Sequence, residues 1–182
     1  AVPASDSPTP VSELAAGEQL FEEMELGGIV NFIAFRQAVA GYNRIKEKSK
    51  PILTLIDFSK PSTEKRFFVF DMEKKQLLFS SVVSHGRNSG GNYATSFSNH
   101  GSYKSSLGFY LTENTYQGGN GYSLILNGLE KGINDKAKER SIVVHGASYA
   151  NPTVAASGRL GRSLGCPALP TKLAKPIINT IK

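Results

Sequence analysis

From Asn31 onward, apolar residues recur at Phe32, Phe35, Val39, Tyr42 and Ile45. Steps of three and four predict an amphipathic helix that docks by one face. Upstream, Ser12 and Glu13 give a helix start, and residues 14–24 are rich in helix formers until Gly27-Gly28 breaks the run. Past the charged stretch 47–50 the period changes. Segments 52–58, 66–72 and 76–83 are dense in Ile, Leu, Val and Phe and predict strands, with Met72-Glu73-Lys74-Lys75 as the turn between the last two. Residues 107–112, 122–126 and 141–144 predict three more. Between them, 86–106 and 113–121 are rich in Gly, Ser and Asn and read as long loops, which are uncommon unless they bind something or are disordered. The stretch 171–182 reads as a helix started after Pro170, with an interruption at Pro176.

These elements predict a mainly β body, an antiparallel β-sandwich or partly closed barrel, with N-terminal helices and a short C-terminal helix. Three stretches are expected: a disordered leader over 1–10, a helical segment over 11–48 packed on the β domain, and that domain over 49–182. The leader follows from Pro at 3, 8 and 10 with Ser and Thr between, which leaves little to bury.

Composition narrows the classes. The 182 residues are 40% hydrophobic, enough for one domain with a core, and no apolar run approaches the ~20 residues of a bilayer-crossing helix. The net charge of +6 is scattered rather than striped. Ordinary solubility explains most of that charge; an anionic polymer is the functional alternative, and nucleic acid fits less well, with no recognised motif and no basic-aromatic platform. A monomer is expected. No metal or cofactor is expected: His85, His100 and His145 lack a paired short spacing, one thiol cannot make a structural zinc site, and no phosphate loop or dinucleotide fingerprint occurs.

The candidate chemistry lies in the last third. Ser141-Ile142-Val143-Val144 is a β-branched apolar run that delivers His145 to a strand end. The single cysteine, Cys166, follows Gly165 and precedes Pro167, a turn that exposes a sulfur and aims backbone N–H groups at one point. An imidazole within reach of a thiol draws off its proton, and the thiolate is the nucleophile. Alone, each residue has a plainer reading: a lone Cys is most often a small buried hydrophobe, and a lone His at a strand end a satisfied polar group.

The flanking residues resemble a family. His145-Gly146 followed by Ser163-Leu164-Gly165-Cys166 resembles the signature of the peptidoglycan L,D-transpeptidases. Ser84-His85-Gly86-Arg87-Asn88-Ser89-Gly90, Ser105-Ser106-Leu107-Gly108-Phe109-Tyr110 and Asn120-Gly121-Tyr122-Ser123-Leu124 are similar to the divergent YkuD-like branch known as the murein L,D-transpeptidase catalytic domain. The resemblance covers roughly residues 50–170. Two positions depart from the commoner branch: Leu164 stands where a His usually precedes the Gly-Cys, and the segment after Cys166 lacks the Arg or Asn often found there.

The resemblance implies a fold of the L,D-transpeptidase type with one more strand after the C-terminal helix. It implies that Cys166 attacks the stem tetrapeptide between the L-centre of diaminopimelate and D-Ala. A thioester would remain, to be resolved by a side-chain amine or by water. His145 would serve as base and then acid, with the Gly146 carbonyl orienting its ring. The N–H groups of Cys166, Gly165 and Leu164 would form the oxyanion hole, with Ser163 shaping the turn and lying at the substrate. On the loop after a strand, His85 and Arg87 are placed to bind a substrate carboxylate, while Tyr110 and Tyr122 are candidates to line the cleft. The start Ala1-Val2-Pro3-Ala4-Ser5 has the small-residue character of a mature secreted protein, so a periplasmic or wall-facing location is expected.

Other readings differ in kind. A sortase-like enzyme also pairs Cys and His but wants an Arg soon after the Cys, where this chain offers Lys172, Lys175 and Lys182. A carboxypeptidase alone would use the same site with water as acceptor. An inactive wall-binding domain would keep the cleft with an inert thiol. A purely structural β domain leaves the long Gly-rich loops beside both candidate residues unexplained.

Overall fold

The computed structural model describes residues 10–182. Apart from Pro10, which opens the first helix, the leader expected over 1–10 lies outside the described residues. Two helices come first, α1 (Pro10–Glu23) and α2 (Phe32–Arg44). Asn31 caps α2, its Oδ1 accepting the Ala34 N–H at 3.0 Å, a bond that satisfies one of the free donors of the first turn. The buried face is Phe35, Ala38 and Val39. Phe35 meets Phe70 edge to face at 5.3 Å between centroids, within an apolar cluster that also takes in Leu53 and Phe68.

The first sheet is β1 (Ile52–Ile56), β2 (Phe67–Asp71) and β3 (Gln76–Ser81), antiparallel in that order. Strand β2 is central, and Phe67, Phe68, Val69 and Phe70 are all fully buried. Alternation sends Phe68 and Phe70 to the helices, while Phe67 and Val69 join a second cluster with residues of the other sheet. A strand covered on both faces reads as an unbroken apolar run, and this one does.

The second sheet is β4 (Tyr110–Gly118), β5 (Gly121–Gly128), β6 (Val143–Gly146) and β7 (Ala168–Leu169). The pairs β4–β5 and β5–β6 are antiparallel, whereas β6–β7 is parallel. Residues 113–118, expected as loop, form the outer half of β4, with a register shift between Thr112 and Thr115. Their polar side chains suit a solvent-facing edge, so composition concealed the strand. The expected partly closed barrel does not form. Strands β1 and β4 are the edges of different sheets and face a cavity of about 580 Å3 lined by Thr54, Ile56, Tyr110 and Thr112 instead of pairing.

Helix α3 (Thr171–Ile181) packs on β6 and runs through Pro176 without the expected interruption. A proline inside a helix costs about 3 kcal/mol. Burying Ile177, Ile178 and Ile181 offsets that, at roughly 1.5–3 kcal/mol for each side chain.

Arg66, at the entry to β2, is fully buried and ties the first sheet to the segment that leads to the site. Its Nε and Nη2 donate to the Val83 carbonyl at 3.1 and 2.6 Å, and Nη1 donates to the Lys60 carbonyl at 3.1 Å. Nη2 also reaches His85 Nδ1 at 2.8 Å. Arg66→Met strips donors from two buried acceptors and one half-buried one, and the expected loss is about 3 kcal/mol in urea unfolding. A change below about 1 kcal/mol would contradict this account of Arg66.

Candidate active site

The site is assembled at the ends of β6 and β7. His145 pairs with Ser123 of β5 on one side and with Ala168 of β7 on the other. Its ring is buried, and Nδ1 lies 3.0 Å from the Gly146 carbonyl. A carbonyl only accepts, so the neutral ring carries its proton on Nδ1 and presents the lone pair on Nε2.

Cys166 sits two residues before Ala168 and is 9% exposed. Its Sγ accepts the Val143 N–H at 3.4 Å and its thiol reaches the Ser141 carbonyl at 3.5 Å. Burial pushes the thiol's pKa up, while the Val143 N–H and the Arg140 charge pull the other way. The resting thiol is therefore neutral. Among the described residues no hydrogen bond joins it to the His145 ring, so the structure holds no preformed thiolate–imidazolium pair.

The turn at 163–166 is held from inside. Ser163 Oγ donates to the Cys166 carbonyl at 2.6 Å and accepts the Gly165 N–H at 3.1 Å. Gly165 has φ +126°, which L side chains rarely adopt, so glycine is required there. The bond to Ser163 occupies the Gly165 N–H, one of the three expected oxyanion donors. Those of Leu164 and Cys166 have no partner among the described residues, and Leu164 itself is 57% exposed.

The SHGRNSG segment supports this turn with its backbone. Ser84 N–H donates to the Ala168 carbonyl at 2.9 Å, Ser163 N–H to the His85 carbonyl at 3.0 Å, and Arg87 N–H to the Ser163 carbonyl at 2.8 Å. A Cβ at Gly86 would lie 2.5 Å from the Tyr103 carbonyl and 3.1 Å from Gly165 Cα, so only glycine lets the two chains approach.

The side chains of the expected substrate-binding residues are placed in different ways. His85, expected to bind substrate, is buried against Arg66. Arg66 can only donate, so Nδ1 accepts and Nε2 donates to the Gly90 carbonyl at 3.2 Å. Desolvation and then the Arg66 charge lower its pKa to about 4, and a neutral buried ring cannot offer a cation to a carboxylate. Arg87 is exposed, and its side chain has no partner among the described residues. Tyr110 donates its hydroxyl to the Ser106 carbonyl at 2.8 Å and lines the cavity between β1 and β4, whose walls include Gly165 and Pro167 on either side of Cys166 but neither Cys166 nor His145. Burial pushes its pKa up to about 12. Tyr122 bonds Asn179 of α3 at 2.6 Å.

Three residues passed over in the sequence frame the site. Tyr149 lies on the 3-10 turn that follows β6, and its pKa is pushed up to about 12 by burial and then by the charge of Cys166. Arg162 Nη1 donates to the Arg87 and Gly90 carbonyls at 3.1 and 3.3 Å. Arg140, just before β6, reaches toward Gly165. The available signal was proximity in sequence to His145 and to the Gly-Cys. Among the described residues no three of His, Cys, Asp and Glu gather as a metal site, and no helix is long and apolar enough to cross a membrane.

A family model described as the L,D-transpeptidase catalytic domain, of the YkuD type, matches residues 27–182. The chain belongs to this family. Neither the curated proteins nor the solved structures yield a match. The matched span of the transpeptidase domain includes α2 as well as both sheets, and it holds His145, the 163–166 turn and the supporting 84–90 segment.

The buried His85 makes folding pH-dependent. Its pKa is about 4 folded and near 6.5 when unfolded, so between those values the unfolded chain binds the extra proton. Stability is full above pH 6.5 and falls as pH drops toward 4. The His85 contribution to unfolding free energy should be roughly 2 kcal/mol smaller at pH 5 than at pH 7. His85→Gln should flatten that part of the profile in urea titrations; an unchanged slope would count against a buried neutral ring.

Proposed function

We propose that this domain is a cysteine-dependent L,D-transpeptidase that acts on the stem tetrapeptide of peptidoglycan at the bond between diaminopimelate and D-Ala. Family membership supports the reaction class, and one observation supports the assignment of residues. His145, its Nδ1 bonded to the Gly146 carbonyl, stands on the strand that pairs with the chain emerging from Cys166.

In this reading substrate entry turns the thiol away from the Ser141 carbonyl, and His145 Nε2 takes its proton. Sγ attacks the carbonyl carbon, and the N–H groups of Leu164 and Cys166 receive the oxyanion. Each such donor is worth on the order of 3 kcal/mol in the transition state. Collapse breaks the C–N bond, the imidazolium protonates the departing D-Ala amine, and a thioester remains on Cys166. His145 then accepts a proton from the incoming nucleophile, an amine of a second stem or water, giving a crosslink or a tripeptide. Ser163 keeps the turn in shape, and the exposed Arg87 is the cation available to a substrate carboxylate. A periplasmic or wall-facing location and a monomeric state belong to the same proposal.

A second reading has its own support: a wall-binding domain without turnover. The neutral buried thiol and the missing Cys166–His145 hydrogen bond favour it. Product analysis separates the two. A disaccharide tetrapeptide, alone and with an amine acceptor, should give tripeptide and crosslinked dimer respectively. Cys166→Ala should abolish both, and His145→Ala should lower kcat by about 10²–10⁴. Stem binding without release of D-Ala would leave the wall-binding reading standing.

A further inference from the structure

Arg140 ends the segment before β6, and its guanidinium turns back toward the nucleophile turn. Nη1 donates to the Ser98 carbonyl at 3.1 Å and to Ser106 Oγ at 2.9 Å, and Nη2 donates to the Lys104 carbonyl at 2.8 Å. A Cβ added to Gly165 would stand 3.2 Å from Nη2 and 3.0 Å from that same Lys104 carbonyl. The guanidinium is thus packed between the 98–106 segment and the residue that precedes the nucleophile.

The stretch Arg140 holds is the one that holds the turn. Ser105, between Lys104 and Ser106, accepts the Gly86 N–H on its Oγ at 2.9 Å and donates from that Oγ to the Gly165 carbonyl at 3.4 Å. Its own N–H donates to Ser89 Oγ at 2.8 Å. A continuous set of hydrogen bonds therefore runs from Arg140 through 104–106 to Gly165 and to Gly86, the two glycines whose close approach shapes the turn.

Charge gives the same residue a second effect. The groups whose ionisation couples to that of Cys166 are Arg140 before β6 and Tyr149 after it. Tyr149 is neutral at ordinary pH. After Cys166 the chain offers no cation until Lys172. Burial opposes ionisation of a sulfur that is 9% exposed, and the Val143 N–H and then the Arg140 charge act against that burial.

We propose that Arg140 is a positioning residue for Cys166: it fixes the 163–166 turn through the 104–106 segment and supplies the fixed charge that favours the thiolate. The catalytic role of Cys166 rests on the function proposed above, but the bracing and the electrostatic effect do not.

The test uses substrate-free protein, with iodoacetamide as the probe and intact mass as the readout of alkylation rate against pH. Arg140→Gln should raise the midpoint of the alkylation profile by about one pH unit and slow alkylation at pH 7 about tenfold. Arg140→Lys keeps the charge and should restore the midpoint to near that of the wild type while leaving the maximal rate low, because the fork of hydrogen bonds is lost. With a tetrapeptide substrate, the Gln variant should lose kcat with KM little changed. Equal midpoints in the wild type and both variants, or equal shifts in Lys and Gln accompanied only by a lowered melting temperature, would overturn the proposal. Alkylation needs no substrate, so the role of Arg140 is tested even in a protein that is inactive on tetrapeptide.

Discussion

The two-residue parallel pairing of β6 with β7 is the contact on which the site depends. It sets His145 opposite Ala168 and so brings the preceding Cys166 alongside Val143, where the sulfur meets a strand N–H. Parallel strands need a long crossover. Here it is the connection from Ala147 to Pro167, which carries the 3-10 turns, Tyr149 and the 163–166 turn itself. Two residue pairs are a weak ladder in isolation. What holds it is its surroundings: Ala168 and Leu169 are fully buried, Ser84 bonds the Ala168 carbonyl, and α3 packs on β6.

That arrangement places an ionisable group where ionisation is disfavoured. Cys166 is buried among apolar neighbours, with one N–H and one guanidinium acting against the desolvation. The resting state is a thiol, not a thiolate, and in the proposed mechanism a base generates the nucleophile. The bond from His145 Nδ1 to the Gly146 carbonyl leaves the other nitrogen free for that task, with no carboxylate in the relay. His85 shows the opposite use of burial. Its two nitrogens are consumed by Arg66 and the Gly90 carbonyl, and what it contributes is the backbone carbonyl that accepts the Ser163 N–H.

The second helix and the first sheet were legible because local pattern decides them: the α2 stripe, the apolar run of β2, and the polar turn between β2 and β3, where Asp71 Oδ1 accepts the Glu73 and Lys74 N–H groups. The outer half of β4 was not, since an exposed edge strand carries no apolar alternation. Strand β7 was invisible for a different reason: two residues make no pattern, and their pairing is decided by tertiary packing. At the site, the placing of His145 at a strand end near Cys166 and the internal bonding of Ser163 could be read from local chemistry. Three features were hidden: the occupied Gly165 N–H, the inward-facing His85 and the reach of Arg140 to the turn. Each depends on side-chain placement that folding decides, and the last two on contacts between residues far apart in the chain.

The central claim is that an acyl group passes through the sulfur of Cys166 with His145 as its base. Mixing the protein with a tetrapeptide donor, quenching with acid and mapping the digested protein by mass measures this most directly. The account predicts a tripeptidyl mass, the donor less D-Ala, on the peptide that contains Cys166, and its loss in His145→Ala. An unmodified Cys166 peptide at times when D-Ala is being released, or the acyl mass on any other residue, would contradict it.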